Sequence, residues 1–175
     1  MASFEFLAVT ISILGLASSI TYYAIILNNA NKTQKLQLET RQTQLFMNIY
    51  NTASSKQYQK DRERMFYIWE YNDVDDFFQK YGVETNPDEH AVFDMFVHHY
   101  EGIAVLVKRG LIDSALVYDL MYDSIVGFWN KFEPVLLWLR EQYGPKTWED
   151  LEFLKEEMLR LKEEEKRLSQ PFQRT

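Results

Sequence analysis

The stretch HAVFDMFVHHY, residues 90–100, holds all three histidines of the chain together with an aspartate, and Glu101 follows at once. On a helix at about 100° per residue, His90, Asp94, His98 and Glu101 fall within about 80° of one another, whereas His99 points elsewhere. Imidazole and carboxylate groups on successive turns could supply two or three ligands to zinc, manganese or iron, provided another helix supplied the rest. The order is His-x-x-Glu, however, while di-iron bundles use a paired Glu-x-x-His with glutamates from two further helices, and no His-Glu-x-x-His motif occurs. The other reading is a hydrated helix edge whose histidines face carboxylates one turn away. Phe93, Phe96, Val97, Tyr100, Ile103, Ala104 and Val107 form the broad apolar face, so the polar stripe flanks the buried surface instead of lying at its centre.

Other chemical signatures are weak or missing. Asp119 and Asp123 stand one turn apart near Tyr118 and Tyr122, and paired carboxylates can divide acid and base roles; the same spacing also suits a solvated helix face. YNDVDDFF lacks the ligand spacing and terminal glutamate of an EF-hand. Serine nucleophile elbows, phosphate-cradling loops and dinucleotide fingerprints have no match. With no cysteine in the chain, disulfides, thiolate catalysis and Cys-ligated metal sites are excluded. No catalytic residue and no cofactor are therefore expected.

The elements that must position the stripe read as helices. The chain has 175 residues with 12 phenylalanines, 11 tyrosines and 4 tryptophans, which argues for a packed core. A formal net charge of -7 leaves no basic stripe for phosphate contacts, so no nucleic-acid partner is expected. Residues 31–52 have few breakers and place Leu38, Leu45, Ile49 and Thr52 near one face. SSKQ caps a second helix over 55–71. Asp73 and Asp76 open a short helix ending near Gly82. Asn86, Pro87 and Glu89 mark the start of the helix that carries the stripe, and KRG, residues 108–110, marks its end. Asp113 caps the next helix, which Pro134 should kink or divide. Thr147 and Asp150 stand in capping-box spacing before a last helix with Leu151, Leu154, Met158, Leu161 and Leu168 at intervals of three, four and seven.

Residues 6–27, FLAVTISILGLASSITYYAIIL, contain no charge. At 1.5 Å per residue such a run is long enough for a bilayer core of about 30 Å. Lys32, Lys35 and Arg41 follow it, so the positive-inside tendency places the N-terminus outside and the C-terminal domain in the cytoplasm, attached to an inner or plasma membrane. Ala8, Ser12, Gly15 and Ser19 share one face and could let two spans approach closely. The expected organisation is an all-α chain: a transmembrane anchor over 1–27, a juxtamembrane helix over 28–56, a bundle over 57–145, a charged helix over 146–168 packing on the bundle or a partner, and a flexible tail over 169–175. Counted together, the bundle should have about five or six helices.

The segments RQTQLFMNIYNTASS, MFYIWEYNDVDDFFQKYG and YEGIAVLVKRGLIDSALVYDLMYDSIVGFWNKFEPVLLWLRE resemble the DUF4760 family of prokaryotic proteins over roughly residues 40–142, with EGIAVLVKRGLID the most specific part. The resemblance implies an N-terminal membrane segment followed by a helical domain, and it implies no catalytic residues. Three functions are open on the sequence. The first is a single-pass module, partnered by the lipid bilayer, that self-associates as a homo-oligomer or recruits a membrane or cytoplasmic protein. The second is a subunit of an oligomeric channel or transporter-like assembly, with Ser12, Ser19 and Thr21 as a water-tolerating face. The third is a metal-dependent enzyme or sensor using His90, Asp94, His98 and Glu101.

Overall fold

A computed structural model describes residues 2–169, except for the side chains of residues 2–10, 12 and 13. Among the described residues every regular element is helical: α1 (Ala2–Ala53), α2 (Lys56–Glu63), α3 (Val74–Tyr81), α4 (Pro87–Lys108), α5 (Ser114–Tyr143) and α6 (Glu149–Ser169), with a π turn over Arg64–Ile68. The chain divides between Gln44 and Leu45 into two compact units.

The first unit is helical. Ile11, Leu14, Leu16, Ile20, Ile25, Ile26 and Leu27 are all exposed. At about 100° per residue they point in every direction around the axis, so the helix presents no single apolar face. Ser19 Oγ donates to the Gly15 carbonyl and Thr21 Oγ1 to the Ala17 carbonyl, each at 2.9 Å, so both hydroxyls are satisfied within the helix. Among the described residues no helix is long and apolar enough to cross a membrane. Of the small-residue face, Gly15 and Ser19 are described and exposed, whereas the side chains of Ala8 and Ser12 lie outside the described residues. So does the chain from residue 170 onward.

The second unit is a bundle built on aromatic packing. Phe77, Phe93, Phe128 and Phe132 are buried and meet with centroid separations of 5.1 Å for Phe77 and Phe93, 5.3 Å for Phe93 and Phe132, and 5.0 Å for Phe128 and Phe132. Each such pair contributes about 0.5–1.5 kcal/mol beyond the area it buries. α6 packs on α4 and α5 through Leu151, Leu154 and Met158, while Leu168 is exposed. The end of α1 joins the core through Phe46, Ile49 and Ala53, spaced three and four apart. The expected face of Leu38, Leu45, Ile49 and Thr52 keeps only Ile49: Leu38 and Leu45 are exposed, and Thr52 Oγ1 turns back to the Asn48 carbonyl.

Most helix ends follow their local chemistry. Ser55, Asp73, Asn86 and Asp113 each accept a backbone N–H at the start of α2, α3, α4 and α5. The end of α4 is a Schellman motif, in which Gly110 at φ +66° donates to the Val107 carbonyl and Leu111 to the Leu106 carbonyl. Three places differ from expectation. Glu89 does not complete a capping box, because its carboxylate pairs with Arg64 at 3.1 Å, and Arg64 also holds Asp61. The helix expected to reach residue 71 leaves its path after Ile68, where Lys131 of α5 donates to the carbonyls of Phe66 and Trp69 at 2.8 and 2.7 Å. Finally, Pro134 does not divide α5. Tyr71 donates its hydroxyl to the Lys131 carbonyl on the turn that the proline disturbs.

Candidate functional site

A cleft of about 760 Å³ opens among α3, the 82–85 loop, α4, the end of α5 and the loop before α6. That volume suits a drug-sized ligand or a few side chains of a partner. Phe78, Trp138, Tyr143 and Trp148 supply aromatic surface, and Asp75, Glu84 and Asp94 supply carboxylates. Among the described residues that line it there is no lysine or arginine. Val83 and Tyr143 form exposed apolar parts of its lining, with 61% and 77% of their surface open to solvent.

Local structure explains how the walls are held. Phe78 lies on α3 and packs on Trp138 of α5 at 4.8 Å. The turn after α3 is fastened by the Phe78 carbonyl, which accepts from Gly82 N–H at 3.0 Å and from the Thr85 hydroxyl at 3.1 Å. The opposite corner is unusual. Trp148 adopts a left-handed backbone at φ 58°, the one non-glycine residue with positive φ among those described. For a bulky residue this conformation costs about 1–2 kcal/mol.

Two long-range contacts hold that corner. Arg140 of α5 donates from Nε to the Thr147 carbonyl at 3.0 Å and from its terminal nitrogens to the Trp148 carbonyl at 3.2 Å and the Glu152 carboxylate at 2.7 Å. Glu101 of α4 accepts the Leu151 N–H at 2.7 Å, which satisfies one of the open donors at the start of α6. The start of α6 is thus served by a carboxylate from another helix, whereas Thr147, the residue expected to cap it, presents its carbonyl to Arg140. Lys108 adds an ion pair with Asp150 at 2.5 Å.

The histidine stripe is divided between these roles. His90, Asp94 and His98 line the cleft, and Glu101 does not, because the first turn of α6 engages it. His90 Nε2 lies 3.6 Å from Asp94 Oδ2, and the His98 ring meets Trp148 edge-on at 5.2 Å. Among the described residues no group of three or more histidine, cysteine, aspartate or glutamate side chains is arranged to hold a metal ion. His99 sits on another side of α4 against Tyr58 at 5.1 Å, where burial lowers its pKa. Burial also raises the Glu101 carboxyl above its ordinary value of 4.5, partly offset by the Leu151 N–H. Asp119 and Asp123 are both exposed and do not line the cleft.

His90 Nδ1 and Trp148 Nε1 are buried atoms of the lining residues without a hydrogen-bond partner. The Thr85 hydroxyl is already engaged by two carbonyls. The cleft therefore offers ring faces, the imidazoles of His90 and His98 and the carboxylates of Asp75, Glu84 and Asp94.

The match to known families spans nearly all of these elements, from residue 3 in α1 to residue 158 in α6. The chain belongs to the DUF4760 family. Its description is a domain of unknown function, and the match over residues 3–158 extends beyond the 40–142 expected, taking in α1 and the buried part of α6. No curated protein and no solved structure matches the chain significantly. For this DUF4760 chain the site was only partly legible: Trp138, Tyr143 and Trp148 lie far along the sequence from the stripe and follow no motif. The signal available was composition, since WED after GPKT and LWLR after Pro134 are tryptophans at or near element ends.

Proposed function

We propose that this protein is a membrane-anchored helical module that recruits a protein partner through the cleft between α3, α4 and the end of α5. The observation that carries the recruitment reading is the cleft itself, with aromatic walls and the apolar side chains of Val83 and Tyr143 open to solvent. Exposed apolar surface next to a concave site is the ordinary mark of a docking surface. The anchor is residues 6–27, free of charge. Its support is an apolar surface without a preferred face and hydroxyls bonded back to their own helix, as a lipid environment requires. The run begins among residues whose side chains are not described. The domain faces the cytoplasm, as Lys32, Lys35 and Arg41 argue.

Gly15 and Ser19, one turn apart and bonded to each other, favour a second reading in which copies associate through their spans.

The test is photocrosslinking of the full-length protein in native membranes, with a photoreactive residue at Val83 or Tyr143 and, separately, at Leu116 on α5 outside the cleft. Recruitment through the cleft gives a discrete adduct at positions 83 and 143 and none at 116. Adducts at the mass of two copies from position 15, with none at the cleft, would replace recruitment by self-association. The anchor is tested by alkaline extraction: the wild type stays with the membrane, and L14K/I20K is released, since each central lysine costs about 2.5–3.5 kcal/mol of insertion. Extraction of the wild type would sink the anchor.

A further inference from the structure

Several features of the second unit could carry an additional role. The Tyr67 and Ile68 pair within the π turn is exposed, but nothing indicates what covers it. The buried Tyr58 and Tyr100 pack with the half-buried His99 and Ser124, and nothing there points to a ligand. The cleft carries more, because its chemistry restricts what can enter.

We infer that the cleft recognises a cationic side chain, an arginine on a segment of the protein partner, held between the aromatic rings and the carboxylates of Asp75, Glu84 and Asp94. The inference rests on the docking reading above and narrows it. Three arguments converge on this group. First, the acids come from three different elements, α3, the loop and α4, and the described lining residues contribute no lysine or arginine to neutralise them; Asp94 faces the His90 imidazole at 3.6 Å, and among the described residues neither Asp75 nor Glu84 has an ion pair. The nearby cation Lys80 is already bonded to Asp76 at 2.9 Å and to the Glu70 carbonyl at 3.1 Å, so it is not drawn toward the cleft acids. Second, Trp138, Tyr143 and Trp148 line the same cavity, and a cation over an indole face is attracted by the negative face of the ring quadrupole. Third, a planar guanidinium can stack on a ring and pair with a carboxylate at once, which a compact ammonium does less well.

A neutral apolar segment would satisfy the rings and leave three carboxylates beside it with poorer solvation. An acidic segment would meet repulsion. A guanidinium satisfies both kinds of wall, and its stem can cover Val83 at the rim.

The test uses the full-length protein in detergent micelles, labelled with 5-fluorotryptophan. Its four tryptophans give four fluorine signals, of which Trp69 and Trp129 are buried in the core and serve as internal references. The probes are Nα-acetyl-arginine methylamide and its neutral isostere Nα-acetyl-citrulline methylamide. The expected result is a saturable shift of the Trp138 and Trp148 signals with the arginine probe, at least about fivefold tighter than with citrulline. The D75N/E84Q/D94N variant, which keeps side-chain shape, should remove that preference. D119N/D123N/E156Q, which alters exposed acids that do not line the cleft, should keep it. Equal affinity for the two probes, no response of either signal, or an arginine preference untouched by D75N/E84Q/D94N overturns the inference. If crosslinks at positions 83 and 143 persist in that case, docking stands and only the identity of the recognised group falls; if they vanish too, the docking reading falls with it.

Discussion

The carboxylate of Glu101 on α4 accepts the backbone N–H of Leu151, 50 residues later, at 2.7 Å. The last carboxylate of the histidine stripe thus serves as a tertiary cap for α6. It anchors the segment that carries Trp148 onto the cleft wall, so its effect on the site is one of positioning.

Glu101→Ala should therefore lower stability by about 1–2 kcal/mol, the ordinary cost of losing a helix cap. Glu101→Gln keeps an oxygen acceptor and separates geometry from charge. Because burial holds the carboxyl above 4.5, the folded state binds more protons than the unfolded chain in the window just above that value. Stability from this group is therefore fully present below the unfolded pKa and is lost as pH rises through the window. The uncharged glutamine lacks this slope. In denaturant titrations the stability of Glu101→Gln relative to wild type should rise between pH 4 and pH 7; a constant difference would show that ionisation of Glu101 is not linked to folding.

Trp148 gives a second prediction through its backbone. At φ 58° any residue with a Cβ is strained, and glycine is not. Trp148→Gly should be more stable than Trp148→Ala by about 1 kcal/mol, the reverse of their ranking in a helix. Thermal melts of the two variants decide it. Both should lose the Trp148 fluorine signal, leaving Trp138 as the reporter of the cleft.

These two residues also mark where the sequence stops being informative. The starts of α3, α4 and α5 and the stop at Gly110 follow from residues within a few positions, because Asp73, Asn86 and Asp113 bond their own next turn and glycine tolerates the left-handed corner. Such signals are local and can be read directly. The start of α6 is governed by Glu101 and Arg140 on other helices, so the spacing of Thr147 and Asp150 pointed to the wrong cap. The phase of the end of α1 was missed for a similar reason. Phe46 and Ala53 are selected by what the bundle offers them, while periodicity alone favoured the neighbouring leucines. The cleft draws on three helices and two loops, and no interval along the chain encodes that convergence.

Two glycines respond in opposite directions to the same substitution. A Cβ on Gly82 would overlap the Phe78 carbonyl oxygen, which already accepts from Gly82 and Thr85. Gly82→Ala should cost more than about 2 kcal/mol and loosen the 82–85 loop. Gly102 lies within α4, where an added Cβ meets open space. Gly102→Ala should stabilise by about 0.5–1 kcal/mol. Midpoints of chemical denaturation moving in opposite directions would bear this out, and a neutral Gly82→Ala would show that the turn can shift to accommodate the methyl.

Pro134 is the remaining local conflict. It lies inside α5, removes one backbone donor and leaves the Asn130 carbonyl without its usual helical partner, yet the helix continues to Tyr143 and carries Trp138 and Leu139 to the cleft. An interior proline costs about 3 kcal/mol relative to alanine in an ordinary helix, offset by about 0.4–1 kcal/mol because it restricts the unfolded chain. The Tyr71 hydroxyl fastens the next carbonyl of that turn, Lys131, and so braces the turn without replacing the donor that Asn130 lacks. Pro134→Ala should thus stabilise the domain by about 1–2 kcal/mol. The same reasoning predicts coupling: Tyr71→Phe should cost about 1 kcal/mol in the wild type and less beside Pro134→Ala, where Asn130 regains its backbone donor and the turn needs the brace less. Denaturant titration of the four proteins in this cycle measures it. Additive effects would mean that the Tyr71 hydroxyl does not compensate the proline, and a Tyr71→Phe change without cost would mean that Tyr71 serves only its ring packing with Phe77 and Phe132, at 5.2 and 6.0 Å.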